Sequence, residues 1–312
     1  MQRIRREDAL VYGLDGSLPP ALHVDAGETF AVETDDASSG LLAAGDKPPS
    51  VENVPYVRHS PAKANPVGGP VFVEGLGRGR ARVAILEVNL APTGVAYNRP
   101  VLSPLGDAAS WPEGREEFTR LVEHVDGEAV LSDRLRWPLA PMIGTLAFAP
   151  EWEVHATSVG QGPWGGNLDV IDFRPGSIVT LNAYHDGGLL FVGDVHGCQG
   201  DGEYFGVADE TRAEVVLSVT AADGDLLPAP RVETPERLVA LGIDKPLEAA
   251  AYAAIRNLMA WLVEEHAFDR REAYLTVGLN PEFRLRVYQM TAIRGLSFVV
   301  GASLPRAYVD RR

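Results

Sequence analysis

The sequence predicts a mainly β protein whose strands form a sandwich, followed by a smaller C-terminal α+β portion. Gly and Pro contribute 55 of the 312 residues (32 plus 23) and fall at short intervals between β-branched runs. Short β-branched runs separated by Gly and Pro are typical of all-β proteins. Several runs alternate apolar with polar residues, as strands with one solvated face do. The composition changes near Ala229, so we expect a β-sandwich core over residues 1–229 and an α+β portion over 230–312 packed on it.

The strand candidates of the core are short alternating or apolar runs bounded by turn residues. They cover residues 29–34, 70–74, 81–90, 177–181, 188–192 and 214–220. Two proline- and glycine-interrupted stretches, 51–65 and 97–114, are predicted to be long ordered connections.

The C-terminal portion is predicted to carry one long amphipathic helix over residues 246–266. Pro246 suits a first helical turn, and the apolar residues that follow recur on one helical face. These residues are Leu247, Ala251, Ala254, Ile255, Leu258 and Leu262. Short strand-like pieces at 231–234, 273–277 and 296–300 surround the helix.

The charge and the cysteine count narrow the functional classes. The formal net charge of -15 repels phosphate backbones and anionic headgroups, so we expect neither nucleic acid nor a membrane surface as a partner. The single cysteine, Cys198, cannot form an intrachain disulfide, and no apolar h-region follows the first residues. We therefore expect a cytoplasmic protein. No apolar run approaches the roughly 18 residues that span a bilayer.

The most informative stretch is an apolar strand that runs into a glycine-rich loop, Gly187-Gly-Leu-Leu-Phe-Val-Gly-Asp-Val-His-Gly-Cys-Gln-Gly-Asp-Gly-Glu203. In an extended chain Asp194 and His196 point the same way, and the loop glycines let the backbone fold back to bring Glu203 beside them. Two carboxylates and an imidazole can ligate Zn²⁺ or a similar ion, which lowers the pKa of a bound water to roughly 7. The alternative is an acidic hairpin with a solvated histidine. An EF-hand does not fit, because the preceding segment is a predicted strand and Glu203 is only the tenth residue from Asp194.

Two further polar clusters are candidates for completing this site. In Gly162-Pro-Trp-Gly-Gly-Asn-Leu-Asp169, the side chains of Asn167 and Asp169 project to one side of an extended chain. Asp169 would ligate the ion, and Asn167 would donate its amide hydrogens to a carbonyl or oxyanion. A turn in which the aspartate caps its own backbone explains the same residues. Asp36 is an alternative ligand at the end of a strand, although capping of the following Ser-Ser-Gly turn also accounts for it.

Other reactive groups are weaker candidates. The three lysines, Lys47, Lys63 and Lys245, lie in turn-like surroundings, which argues against the lysine-dependent sets that some amide hydrolases use. Cys198 lies two residues after His196 without a clear third group, so a thiol mechanism is only a minor alternative.

Taken together, these motifs resemble the acetamidase/formamidase family. The shared motifs run in order over about residues 10–220. They are Glu33-Thr-Asp-Asp36, Asn65-Pro-Val-Gly-Gly-Pro-Val-Phe-Val-Glu-Gly75, residues 141–150, Gly165-Gly-Asn-Leu-Asp169 and Gly193-Asp-Val-His-Gly-Cys-Gln-Gly-Asp-Gly-Glu203. The resemblance implies a jelly-roll-like core, a homo-oligomer (dimer or higher) and hydrolysis of small linear amides to carboxylate and ammonia. The chain departs from the family pattern at Arg80 and near Asn280.

The resulting hypothesis is a metal-dependent amide hydrolase, with zinc as the expected ion and calcium as the alternative. Asp194 and His196, with Asp36 or Asp169, would hold the ion. Glu203 would move a proton to the departing nitrogen. Asn167 or Gln199 would hydrogen-bond the amide or its oxyanion.

A non-catalytic β-sandwich that binds a small ligand and holds a structural Ca²⁺ is the alternative from another class. Calcium prefers all-oxygen ligands, so a ligating His196 would favour a transition metal ion.

Overall fold

The computed structural model describes residues 1–40, 64–98, 118–291, 293 and 295–309. The predicted loop at 51–65 lies outside these residues up to position 63, and the predicted connection at 97–114 lies outside them from position 99. Lys47 and Lys63 also lie outside them.

The described residues form strands β1 to β21, two α-helices, α1 and α2, and a short 3₁₀ helix, Arg306–Tyr308. Strands β1 to β11 are Gln2–Ile4, Leu10–Val11, Gly13–Leu14, Leu22–Asp25, Thr29–Thr34, Val67–Glu74, Gly79–Asn98, Phe118–Val125, Glu128–Val130, Arg136–Pro138 and Met142–Phe148. Strands β12 to β21 are His155–Ala156, Gln161–Gly162, Gly165–Asn167, Ile178–Ala183, Leu190–His196, Glu210–Ala222, Arg231–Glu233, Arg237–Asp244, Arg284–Gln289 and Phe298–Pro305. Helix α1 is Leu247–Glu265 and α2 is Arg270–Leu279.

The predicted mainly β fold is confirmed: 19 of the described strands form one large, curled, mostly antiparallel sheet, and β3 pairs with β12 in a separate two-stranded sheet. The long strand β17 pairs antiparallel with β5, β7 and β16, whereas β1 pairs with β5 and β4 with β6 in parallel. Alternate residues of β5 and β17, such as Phe30, Val32, Val215 and Leu217, are completely buried in the main core. This burial follows the period-two pattern that predicted the strands. The jelly-roll connectivity stays a prediction.

The predicted core strands exist, mostly as parts of longer ones. The 29–34 prediction coincides with β5, and those at 81–90 and 214–220 lie within β7 and β17. The strand predicted at 273–277 is wrong, because these residues belong to α2. Asp269 and Glu272 form a capping box at the start of this helix, in which the Asp269 carboxylate accepts hydrogen bonds from the backbone N–H groups of Arg271 and Glu272. Such a box satisfies free N–H groups of the first turn and so starts a helix.

The predicted long helix is confirmed as α1, which packs on the C-terminal strands β19 and β21. Its buried side includes Ala250, Ala254, Leu258 and Leu262, and these residues form a second core with the two strands. The helix approaches β19 closely, since a Cβ on Gly242 would lie 2.1 Å from the Ala250 carbonyl oxygen. No helix of the described residues is long and apolar enough to cross a membrane.

An ion-pair cluster attaches the end of α1 to the sheet. Arg80 and Arg231, both buried, donate to one carboxylate oxygen of Glu265 at 2.8 and 2.7 Å. Trp261 donates to the other oxygen at 2.9 Å, and Arg231 also bonds Glu264 at 2.7 Å. Strand β18 also pairs with both β15 and β19, so the sheet is continuous through position 229. The division into portions at 229 and 230 stays a prediction.

Candidate active site

The candidate site lies where β16 and β17 meet. Strand β16 carries Asp194 and His196, and the His196 position pairs with Glu210, the first residue of β17. Asp169 comes two residues after β14, and Glu203 lies in the connection between β16 and β17. The side chains of all five residues are buried. The sheet therefore concentrates four carboxyl groups around one imidazole.

Three of the acids occupy an unusual backbone conformation. The φ angles of Asp169, Asp194 and Glu203 are 50°, 57° and 46°, in the left-handed region. Residues other than glycine adopt this region rarely, and such strain persists mainly at functional sites. We predicted an extended chain at Asp194 and Asp169, and this local expectation is wrong. The convergence of Asp194 with His196 arises from a left-handed residue within β16 instead of simple alternation.

The atoms at the centre of the cluster are separated by more than a hydrogen-bond distance. His196 Nε2 lies 3.4 Å from Glu210 Oε2 and 3.6 Å from Asp194 Oδ1. Asp194, His196 and Glu210 form one group of possible metal ligands, and Asp169, His196 and Glu203 form a second. Within each group the possible ligand atoms lie within 4.8 Å of one another. Ligands bonded to one tetrahedral ion at about 2.0–2.1 Å are roughly 3.3 Å apart. The spacing around Nε2 therefore fits atoms that share an ion better than atoms that share a hydrogen.

The orientation of His196 is fixed by Gln199. The Gln199 amide nitrogen donates to the carbonyl oxygens of Asp169 and Tyr288 at 2.7 and 3.2 Å. Its oxygen must therefore accept from His196 Nδ1, which lies 2.9 Å away. Because Nδ1 carries the proton of this bond, Nε2 is the nitrogen that faces the carboxylates, and this is the orientation of a metal-ligating histidine. Both hydrogens of Gln199 point at backbone carbonyls, so this residue positions His196.

In Asp194 and in Asp169, one carboxylate oxygen accepts hydrogen bonds from neighbouring side chains and the other oxygen accepts none from the described part of the chain. Asp194 Oδ2 accepts from Asn65 Nδ2 at 2.8 Å and from the Thr145 hydroxyl at 3.2 Å. Asp169 Oδ2 accepts from Gln289 Nε2 at 3.0 Å. The Oδ1 atoms of both acids, together with His196 Nε2 and Glu210 Oε2, have no hydrogen-bond partner among the described residues. Buried polar atoms are nearly always paired, so these unpartnered ligand-type atoms, in two groups that share His196, fit a divalent cation.

Gly144 in β11 makes room for this arrangement. A Cβ at this position would lie 2.8 Å from Asp169 Oδ1 and 2.8 Å from Asp194 Oδ2. The Gly144 carbonyl oxygen also accepts the backbone N–H of Asp169 at 3.2 Å. Any larger residue would fill the space between the two acids.

Burial and mutual repulsion raise the pKa values of the acids. Burial, followed by the charge of Asp194, raises the pKa of Asp169 to about 7. Burial and the charge of Asp169 raise the pKa of Glu203 well above its usual range. Burial also raises the pKa of Glu210. Burial lowers the pKa of His196, but Glu210 and Asp194 outweigh it, so the net shift is upward. When no other cation is bound, protons on these groups therefore neutralise part of the buried negative charge.

The other predicted site residues occupy less central positions. Asp36 Oδ1 caps its turn by accepting from the backbone N–H groups of Ser38 at 2.8 Å and Gly40 at 3.1 Å, and Asp36 is in neither group of possible metal ligands. Asn167 donates through Nδ2 to the Ser158 carbonyl oxygen at 2.8 Å. Its Oδ1 atom is buried without a partner among the described residues.

The environment of the Cys198 thiol differs from that of a reactive cysteine, whose pKa is lowered. Burial raises its pKa to about 11, and the Trp137 indole N–H donates to the sulfur at 3.0 Å. His124 and Asp209 form a buried pair beside it, with Nε2 and Oδ2 3.0 Å apart. The thiol therefore stays protonated at neutral pH, which disfavours the thiol mechanism.

The sequence analysis missed Glu210, Asn65, Thr145 and Gln289. Glu210 lies four residues before the predicted start of its strand, so extending that strand backwards would have placed it beside His196. Asn65 was part of a family-like motif but received no role. Neither Thr145 nor Gln289 stands out by residue type or spacing.

The fold and the cluster together define a large β-sheet protein with a buried acid–imidazole site. The model of the Acetamidase/Formamidase family matches residues 152–230, a segment that contains all four acids and His196. No curated protein sequence matches the chain.

Solved structures extend the similarity to nearly the whole chain. An acetamidase from Bacillus halodurans has a TM-score of 0.86 and 28% identity, over 99% of this chain and 98% of its own. A predicted acetamidase/formamidase from the thermophile Thermoanaerobacter tengcongensis has a TM-score of 0.85 and 26% identity, over 99% and 97%. An acetamidase from Yersinia enterocolitica has a TM-score of 0.85 and 28% identity, over 97% and 90%. The resemblance to the acetamidase/formamidase family is thus confirmed, and it supports an amide hydrolase.

Proposed function

We propose that this protein hydrolyses a small linear amide to carboxylate and ammonia, using a divalent cation held by Asp169, Asp194, His196 and Glu210. The observation that carries the proposal is two groups of buried ligand atoms that share His196, one with Asp194 and Glu210 and the other with Asp169 and Glu203, with the possible ligand atoms of each group within 4.8 Å of one another. One atom each of Asp169, Asp194, His196 and Glu210 has no hydrogen-bond partner among the described residues. An imidazole among the ligands favours zinc over calcium. The sequence analysis left Asp36 and Asp169 as alternatives for a further metal ligand, and the proposal uses Asp169.

A cation at this position would polarise the amide carbonyl and lower the pKa of a water molecule to roughly 7. The protein's own contribution is orientation. Gln199 directs His196 Nε2 inwards, while Asn65 and Thr145 direct Asp194 Oδ1. Such outer hydrogen bonds typically contribute 10- to 100-fold to metal affinity or activity.

Glu203 is proposed as the acid that protonates the departing nitrogen. Burial and the charge of Asp169 raise the pKa of Glu203, which favours the protonated form of its carboxyl group. An amine anion is a very poor leaving group, and a positioned proton donor contributes about 10² to 10⁴ in rate. The location of Glu203 beside Asp169 and His196, and the upward shift of its pKa, support this role.

The substitution Glu203→Gln tests this role. We expect the variant to keep its fold and its metal content and to lose amide turnover. The matched control is Asp201→Asn, which removes an exposed acid from the same loop and is expected to retain wild-type turnover. Unchanged ammonia release by Glu203→Gln would reject the role.

An ammonia-release screen over a panel of amides tests the reaction class. The protein is purified without chelator, its metal content is measured, and each amide is assayed with and without chelator. Zinc together with chelator-sensitive ammonia release would support the proposal. Calcium together with inert amides would reject it in favour of a ligand-binding protein with a structural calcium site.

Two expectations from the sequence stay predictions. We expect a homo-oligomer, which light scattering of the full chain would test. We expect a cytoplasmic location, which fractionation of the source cells would test.

A further inference from the structure

The last residue of strand β20 brings a C-terminal side chain into the candidate site. Gln289 is fully buried, and its amide nitrogen donates to Asp169 Oδ2 at 3.0 Å. A carboxylate oxygen accepts hydrogen bonds, so the amide nitrogen must be the atom that faces Asp169. This fixes the direction of the Gln289 oxygen, Oε1. That atom is buried and has no donor among the described residues.

Strand β20 is firmly attached to the acidic loop, so this position is well defined. The backbone N–H of Gly202 donates to the Val287 carbonyl oxygen at 2.8 Å, and the N–H of Met290 donates to the Gly202 carbonyl oxygen at 2.9 Å. Gln199 also donates to the Tyr288 carbonyl oxygen. Hydrogen bonds on both sides of Gln289 therefore hold it in place beside the loop that carries Glu203.

The unpartnered atoms of the site divide into two chemical kinds. The carboxylate oxygens and the His196 nitrogen are strong cation ligands, and the proposed ion accounts for them. The amide oxygen of Gln289 is a neutral acceptor and calls for an N–H or O–H donor, because a buried acceptor without a donor is unfavourable. An unsubstituted amide offers two N–H groups next to the carbonyl that the ion would polarise.

We infer that Gln289 is a specificity-determining residue whose Oε1 atom accepts a hydrogen bond from the nitrogen of the substrate amide. This inference rests on the proposed function. The interaction persists as the nitrogen gains a proton and leaves as ammonia, and it strengthens because the nitrogen becomes more positive. An interaction that is stronger in the transition state than in the ground state raises kcat more than it lowers KM.

The test compares Gln289→Met with the wild-type chain on acetamide and on p-nitrophenyl acetate, an ester with the same acyl group and no N–H. Methionine keeps the volume and lacks both the acceptor and the donor to Asp169; loss of the donor would affect both substrates through Asp169, whereas loss of the acceptor affects only the amide. We expect kcat/KM for acetamide to fall at least tenfold, mainly through kcat, and the rate on the ester to change less than threefold. The assays contain saturating zinc, and bound zinc and the melting temperature are measured on the same samples.

The matched control is Arg286→Gln, an exposed position on the same strand whose side chain pairs with Asp201. Its acetamide-to-ester ratio is expected to equal that of the wild type. Equal losses by Gln289→Met on both substrates would indicate a general structural role and overturn the inference, as would an unchanged acetamide rate. If the wild-type chain hydrolyses no amide at all, the proposed function fails and the inference fails with it. An active wild type with an unaltered ratio in Gln289→Met rejects the inference alone.

Discussion

Replacing Gly144 by alanine should disable the site and strain the adjacent strand β16. The added Cβ would lie 2.7 Å from the Asp194 carbonyl oxygen, 2.8 Å from Asp169 Oδ1 and 2.8 Å from Asp194 Oδ2, whereas ordinary contact begins at 3.4 Å. Each carboxylate would therefore have to retreat by about 0.6 Å (3.4 minus 2.8), which exceeds the roughly 0.2 Å tolerance of ligand distances in metal sites. The φ angle of Gly144 is not in the left-handed region, so alanine introduces no backbone strain at position 144 itself.

The expected consequences differ between metal binding and stability. Overpacking of this size costs about 1–3 kcal/mol of unfolding free energy. Zinc affinity should fall by at least about tenfold, as it does when carboxylate orientation is disturbed, and amide turnover should fall with it. Affinity is measured by competition with a chromophoric chelator, and stability by urea denaturation.

Gly200 provides the matched control. A Cβ at this position would meet nothing within 4 Å, and its φ is also outside the left-handed region. Gly200→Ala, in the same acidic loop, should change stability by no more than about 0.5 kcal/mol. Wild-type zinc affinity and ammonia release in Gly144→Ala would refute the argument that the two acids need the space at this glycine.

Three further predictions concern separate parts of the molecule. Gln199→Met removes the acceptor that orients His196, so zinc affinity should fall about 10- to 100-fold in the chelator competition, whereas Gly200→Ala at the next position should retain it. The pKa of Asp169 is raised to about 7, above its unfolded value of about 3.9, so its folded form binds the proton more tightly. The metal-free chain should therefore lose stability as pH rises from about 4 through 7, and a flat urea midpoint from pH 5.5 to 8 would contradict this. Glu265→Ala removes the acceptor of two buried arginines and should cost about 1.5–3 kcal/mol in urea denaturation, with no change in metal content.

The parts of the fold set by local pattern could be predicted from the sequence. Strand β5 and helix α1 have clear periodicities, so their bounds agree with prediction to within one residue. Helix α2 was missed because its alternating apolar residues fit a strand as well as a short helix. Its capping box at Asp269 and Glu272 was the signal that would have decided between the two.

The site was predictable only as far as its residues lie in one polar stretch. Asp194, His196 and Glu203 stand out because polar groups seldom follow a buried strand so densely. Their geometry was not predictable, since aspartate is enriched in the left-handed region but most aspartates lie outside it. Gln289 could not be found either, because its contact with Asp169 depends on how the C-terminal strands return to the core.

Three features of the site are energetically unfavourable. They are the left-handed backbone at Asp169 and Asp194, the contact of both acids with Gly144, and the burial of like charges. A bound cation would reduce the electrostatic part of this free-energy cost. The left-handed backbone and the small Gly144 allow Asp169 and Asp194 to lie buried beside His196. Burial, followed by the charge of Asp194, raises the pKa of Asp169, because carboxylates repel one another in a buried site. Protons relieve the repulsion but leave four ligand atoms without partners. A divalent ion would neutralise the charge and bind these atoms at the same time, so the strained backbone makes physical sense as the framework of a cation site.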